Sequence, residues 1–272
     1  MYKMKTLISK SVTLVLILCL FITGCNGDEV KSDTPKTYVL VHGAFQGAYA
    51  WQYVKAQLEK KGQKVIAVEL PAHGEDKTPP GNISLDVYRD KVVSAITSVS
   101  DKVILVGHSM GGMVITATAE KIPDRIEKLI YIAAFVPGNG QSLLDLASTD
   151  STSMLFPALV PSADGLTQDI KPENIGPIFA QDANDEVKKL LLDKRRPEPT
   201  KIFPDKAIVT EANWGKVDKY YIFTKRDNTV GPNLQKRMVA AAKITKTTTI
   251  DSDHSPFLTK PDVITELLLA ND

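Results

Sequence analysis

Ser109 stands in Gly107-His108-Ser109-Met110-Gly111, directly after the apolar run Val103-Ile104-Leu105-Val106 and directly before a helical pattern. A serine hydroxyl is a weak nucleophile at neutral pH and needs a general base in reach, itself oriented by a third group. Four histidines are available, His42, His73, His108 and His254. Where a serine on a strand–turn–helix elbow is the nucleophile, the acid and then the histidine follow it along the chain, and only His254 lies downstream of Ser109. It sits in Asp251-Ser252-Asp253-His254-Ser255-Pro256, a loop after the last strand pattern, from which a side chain can fold back over a sheet edge. The strand pattern Lys219–Thr224 runs straight into Lys225-Arg226-Asp227-Asn228, which makes Asp227 the orienting acid. Asp253, in the histidine's own loop, is the alternative. Together these residues would perform acyl transfer through a serine ester.

The glycines flanking Ser109 fit that role. A sharp elbow needs little bulk at Gly107 and Gly111, and it lifts the hydroxyl to the C-terminal edge of a sheet, where open α/β sheets bind ligands. The helix beyond it aims free N–H groups and its positive end at the same point. A serine there could serve only as a helix N-cap, but Gly111, Gly112 and the partners above would then go unexplained. The transition state also needs donors for a developing oxyanion. The residue after the nucleophile, Met110, supplies one N–H, and the turn after the strand Val39–Val41 supplies the other. In His42-Gly43-Ala44-Phe45 that second donor is Ala44, with Phe45 the alternative, and His42 braces the turn.

The elements that must position these residues alternate. Strand patterns cover 38–42, 64–70, 102–106, 128–134, 219–224 and 245–250, with helical patterns near 49–61, 84–99, 110–121, 232–242 and 261–270. The strand runs are apolar without alternation, as expected when helices cover both faces of a parallel sheet. The result is a doubly wound α/β domain over 37–272. Between Phe135 and about Lys216 the rhythm fails. That stretch is rich in proline, holds a helix candidate at Asp182–Arg196, and is too long for a structureless loop. It reads as an inserted helical cap at about 138–213.

Composition narrows the class. The 272 residues are 43% apolar and 24% charged, with a formal net charge of +1, which is globular and carries no footprint for nucleic acid. The N-terminus reads as an address: Lys3, Lys5 and Lys10, an apolar stretch from Val12 to Ile22, then Thr23-Gly24-Cys25. That is the pattern of a signal peptide over 1–24, and the small residues before Cys25 resemble the lipobox of bacterial lipoproteins. That resemblance implies lipidation at Cys25 and attachment to a membrane of the bacterial cell envelope, at the outer membrane or cell surface, with the polar residues that follow making 25–36 a lipidated cysteine and tether. The alternative is a plain secretory signal and a secreted protein. Both cysteines, Cys19 and Cys25, fall in this segment, so no disulfide and no cysteine-based metal site is expected in the domain.

The stretches "YVLVHGAFQGAYAW", "VIAVELPAHGEDKTP", "VILVGHSMGGMV", "IYIAAFVPGNGQS", "YYIFTKRDN" and "DHSPFLTKPD" resemble the α/β-hydrolase superfamily, within it the group of esterases and hydroxynitrile lyases that includes methyl-ester hydrolases and pyrethroid-hydrolase-like esterases. The resemblance runs over about 37–270. It implies an α/β-hydrolase fold with a mostly parallel sheet of about six strands, and hydrolysis of a carboxylic ester by Ser109, Asp227 and His254. That chemistry calls for no metal or cofactor. The apolar cap residues Leu143, Leu144, Met154, Leu155, Phe156, Ile178, Phe179 and Trp214 point to an apolar acyl or alcohol group. Lyases of the group look as if they need a lysine after the catalytic histidine and a threonine in the oxyanion turn. Ser255 and Gly43 stand at those positions here, which favours hydrolysis. Attack on an amide, a lactone or a C–C bond, and a ligand-binding surface lipoprotein built on a hydrolase fold, are the rival readings.

Overall fold

The computed structural model describes residues 34–272. The expected signal segment 1–24, Cys25 and the expected tether up to residue 33 lie outside the described residues. Six strands form one sheet: β1 (Thr37–Val41), β2 (Lys64–Val68), β3 (Val103–His108), β4 (Ile126–Ile132), β5 (Asp218–Thr224) and β6 (Lys246–Ile250). Their order across the sheet is β6-β5-β4-β3-β1-β2, and every pairing is parallel. β1 and β3 are buried along their whole length, whereas the edge strands β2 and β6 begin at exposed Lys64 and Lys246. Continuous apolar runs therefore mark the interior, and partly polar ones the edges.

The strand order decides where a site can form. From β1 the chain goes outward to β2 and then returns to the other side as β3, so the crevice of an open sheet opens between the C-terminal ends of β1 and β3. Val41 pairs with Gly107 across that point, and β3 extends through Gly107 and His108, two residues beyond the expected strand. β4 stops earlier than expected, at Ile132, because Ala133 turns into the left-handed region at φ +47.

Helices at Gln52–Lys60, Leu85–Thr97, Gly111–Lys121, Pro232–Ala241 and Pro261–Ala270 match the expected segments. The insertion between β4 and β5 is mixed, not purely helical. It carries helices at Pro172–Phe179 and Asp185–Lys194, but also a three-stranded antiparallel sheet of Leu159–Pro161, Thr167–Ile170 and Glu198–Pro199. The second helix starts at Asp185, later than expected, because the Asn184 side chain caps it by accepting from Val187 N–H at 2.9 Å. The small sheet escapes a periodicity argument because its strands are so short. Its hairpin did leave a signal, Asp164-Gly165, with Gly165 at φ +71.

Candidate active site

Ser109 follows β3 with φ +53, a left-handed conformation that a serine adopts at a cost of about 1–3 kcal/mol. Neighbouring strand ends hold it there: its N–H donates to the Ile132 carbonyl at 3.4 Å, and its own carbonyl accepts from Gly112 and Phe135 at 3.0 Å each. The same strain recurs along this sheet edge, at Phe45 (φ +64), Ala72 (φ +64) and Ala133 (φ +47), after β1, β2 and β4. Strain collected at one edge is what a preorganised site looks like.

The turn after β1 lies against the serine. A Cβ at Gly43 would come within 2.8 Å of Ser109 Cβ and 2.9 Å of His108 Nδ1, so only glycine permits the approach. His42 braces this turn as expected: its Nδ1–H donates to the Gly43 carbonyl at 2.8 Å, and its Nε2 accepts from Leu70 N–H at 3.2 Å. Burial, reinforced by the neighbouring His73, pushes the His42 pKa down to about 3, so this ring is neutral. Of the two residues considered as oxyanion donors in this turn, Phe45 is engaged elsewhere, its N–H donating to Glu198 Oε2 at 2.9 Å. Among the described residues the N–H groups of Ala44 and Met110 donate to no protein acceptor.

His254 and Asp227 meet. The His254 Nδ1–H donates to Asp227 Oδ2 at 2.8 Å, both side chains fully buried, and His254 Nε2 has no partner in the protein. Every lone pair direction of Asp227 is used: Oδ1 accepts from Thr229 and Val230 N–H at 2.8 Å each, and Oδ2 also from Thr224 Oγ1 (2.8 Å) and Gln235 Nε2 (3.0 Å). Such a carboxylate is fixed in place and suited to hold one imidazole tautomer. Asp253, the alternative acid, is committed to the loop and the cap, accepting from Ser255 N–H, Thr259 Oγ1 and Asp182 N–H at 3.0–3.1 Å.

Three contributors were not foreseen. Gln235 and Thr224 anchor Asp227 and carry no pattern of their own in the sequence. His108, inside the elbow motif itself, donates its Nε2–H to the His254 carbonyl at 2.8 Å and so tethers the histidine loop to the serine turn. Burial and the neighbouring His254 hold its pKa well below the usual value, which keeps it neutral. The apolar cap residues divide: Phe179 packs against Phe45 and His254, with ring centres 5.9 and 6.0 Å apart, whereas Leu144 and Met154 are exposed. Trp214 is spent on structure, donating its indole N–H to Tyr131 Oη at 3.0 Å.

The arrangement joins a strained serine, an imidazole with an unpartnered nitrogen held by a fixed carboxylate, and two unused amide donors at one sheet edge. It is equipped for acyl transfer. Residues 38–267 match the alpha/beta hydrolase family. Methylesterase 8 of Arabidopsis thaliana is 31% identical over 273 residues, covering 93% of this chain and 95% of that one. The structure of polyneuridine aldehyde esterase superposes with a TM-score of 0.79 at 25% identity, over 88% of this chain and 99% of that one. Another Arabidopsis relative, numbered methylesterase 11, is 31% identical over 258 residues, 88% of this chain, which spans only 65% of that relative's length. It and the relatives numbered 13 and 14 are named as chloroplastic. Plant methylesterases point away from a bacterial lipid-anchored envelope protein. The location expected from residues 1–25, which rested on the composition of a short segment alone, is corrected accordingly.

Proposed function

The chain belongs to the alpha/beta hydrolase family, and from that premise we infer that it is a carboxylic ester hydrolase in which Ser109 is the nucleophile, His254 the base and Asp227 the orienting acid. The observation that supports this most is the buried 2.8 Å contact between His254 Nδ1 and Asp227, which leaves Nε2 unpartnered in a loop that His108 ties to the serine elbow. His254 takes the Ser109 proton as the hydroxyl attacks the ester carbonyl, and the oxyanion rests on the Ala44 and Met110 N–H groups. His254 then protonates the leaving alkoxide, and water repeats the cycle to release the acid.

The substrate is an ester of a small alcohol, a reading supported by relatives named methylesterase, with an apolar group lying against Phe45 and Phe179 under the cap at about 138–213. A panel of methyl, ethyl and longer esters with the purified domain tests this. The expected result is measurable turnover, highest for the small alcohols, and a loss in Ser109→Ala on the order of 10⁴-fold or more in kcat. A Ser109→Ala enzyme that keeps a tenth of wild-type activity would remove the serine from this role.

A further inference from the structure

Glu198 is fully buried, yet it lies neither on the six-stranded sheet nor among the expected site residues. It comes from the short cap strand Glu198–Pro199. Its Oε2 accepts from Phe45 N–H at 2.9 Å and from His73 Nε2–H at 2.9 Å, and its Oε1 accepts from Tyr88 Oη–H at 3.1 Å. The neighbouring Arg196 completes the grip: its backbone N–H donates to the Phe45 carbonyl at 3.0 Å, and its guanidinium donates to the Gly74 and Asp76 carbonyls at 3.1 and 2.6 Å. Both backbone polar groups of Phe45 are thus held by two cap residues two positions apart. Phe45 is one of the strained residues of the site edge, at φ +64, and it directly follows Ala44.

Beneath the turn lies a buried histidine. His73 is fully buried, and its Nδ1 lies 3.1 Å from the Pro71 carbonyl while Nε2 faces Glu198. Oxygen atoms therefore face both ring nitrogens. Burial alone would lower its pKa, but Glu198 and, at longer range, Glu69 reverse this and raise it. The other groups facing His73 are the neutral His42 ring at 4.9 Å and the Tyr88 ring at 5.6 Å. A buried polar pair of this kind is a weak source of stability and acts here as a constraint on geometry.

We propose that Arg196-Pro197-Glu198 is a clasp by which the cap sets the oxyanion hole, with Glu198 a positioning residue that ties down Phe45 N–H so that the preceding Ala44 N–H is left to face the reacting carbonyl. The clasp couples cap placement to catalysis: a cap lifted from the sheet edge releases Phe45, and the left-handed turn that presents Ala44 loses its support. This inference rests on the ester-hydrolase reading.

The test compares Glu198→Leu, which has no acceptor, with Glu198→Gln, whose amide oxygen can still accept from Phe45 N–H and His73 while its NH₂ donates to Tyr88 Oη. Turnover is measured on the best ester of the panel, and exchange of the Phe45 amide hydrogen is followed by NMR in the wild-type protein and both variants. Glu198→Leu should lose on the order of 10²-fold in kcat, as for a misplaced oxyanion donor, with KM little changed, and its Phe45 amide should exchange freely. Glu198→Gln should restore most of kcat and the slow exchange. Folded Glu198→Leu with wild-type kcat overturns the clasp, as does equal loss in both variants. If Glu198→Leu does not fold, a Phe45 amide that exchanges as fast in the wild-type protein as in an open loop also overturns it. The amide readout needs no turnover, so a wild-type protein that protects Phe45 but cleaves no ester would sink the hydrolase reading and leave the clasp standing as architecture.

Discussion

Asp227 is defined by its surroundings. Five donors converge on its carboxylate, and the only one of them with a second nitrogen free for chemistry is His254. Asp227→Asn keeps the shape but presents an NH₂ group that would favour the wrong imidazole tautomer, and kcat should fall on the order of 10⁴-fold. Asp253→Asn should lose far less activity, because that carboxylate braces the loop and does not meet the imidazole. Ester turnover by the two purified variants checks this, and equal losses would reopen the choice of acid. The meeting of Asp227 and His254 was legible in the sequence, because an acid straight after a strand and a histidine after the next one are visible there. Glu198 was not: it stands in a proline-rich segment, Arg196-Pro197-Glu198-Pro199, where nothing marks a carboxylate as buried.

At the scale of elements, the elbow depends on how closely its helix approaches the end of β4. A Cβ at Gly112 would lie 2.1 Å from the Phe135 carbonyl oxygen, a backbone atom with no room to yield. Gly112→Ala should therefore push the helix Gly111–Lys121 off the strand end. Overpacking of about 1–3 kcal/mol corresponds to a fall in Tm of roughly 5 °C for a domain of this size. Thermal unfolding followed by circular dichroism is the measurement, and an unchanged Tm would show the approach to be looser than described. The sheet itself was readable because buried parallel strands are long apolar runs. The cap was only half readable. Its helices carry apolar faces, but strands of two to four residues that include Pro161 and Pro199 have too few positions to show a period, and only the Asp164-Gly165 turn betrays them.

For the whole molecule, the buried histidines tie stability to pH. His42 and His108 are neutral when folded, His42 with a pKa near 3, because burial opposes the charged form. Unfolded, each binds a proton below about pH 6.5, so stability falls as pH drops through that value, at about 1.4 kcal/mol per pH unit for each ring. His73 acts in the opposite sense. Its raised pKa contributes stability that is complete below about pH 6.5 and is lost as pH rises through the folded value. With two rings against one, denaturant unfolding should show a less stable protein at pH 5.0 than at pH 7.5. His42→Gln, which removes one titrating ring, should shrink that difference by about 2 kcal/mol; an unaltered difference would mean that His42 is not buried as a neutral ring. The central claim belongs to this scale too, since it holds that the ends of β1, β3, β5 and β6 assemble around one reactive serine. Labelling the folded protein with a small fluorophosphonate, followed by peptide mass spectrometry, tests it most directly. One equivalent of phosphonyl group should appear on the peptide containing Ser109, and none after denaturation or in His254→Ala. A folded protein that takes up no label, or takes it up at another residue, would contradict the account.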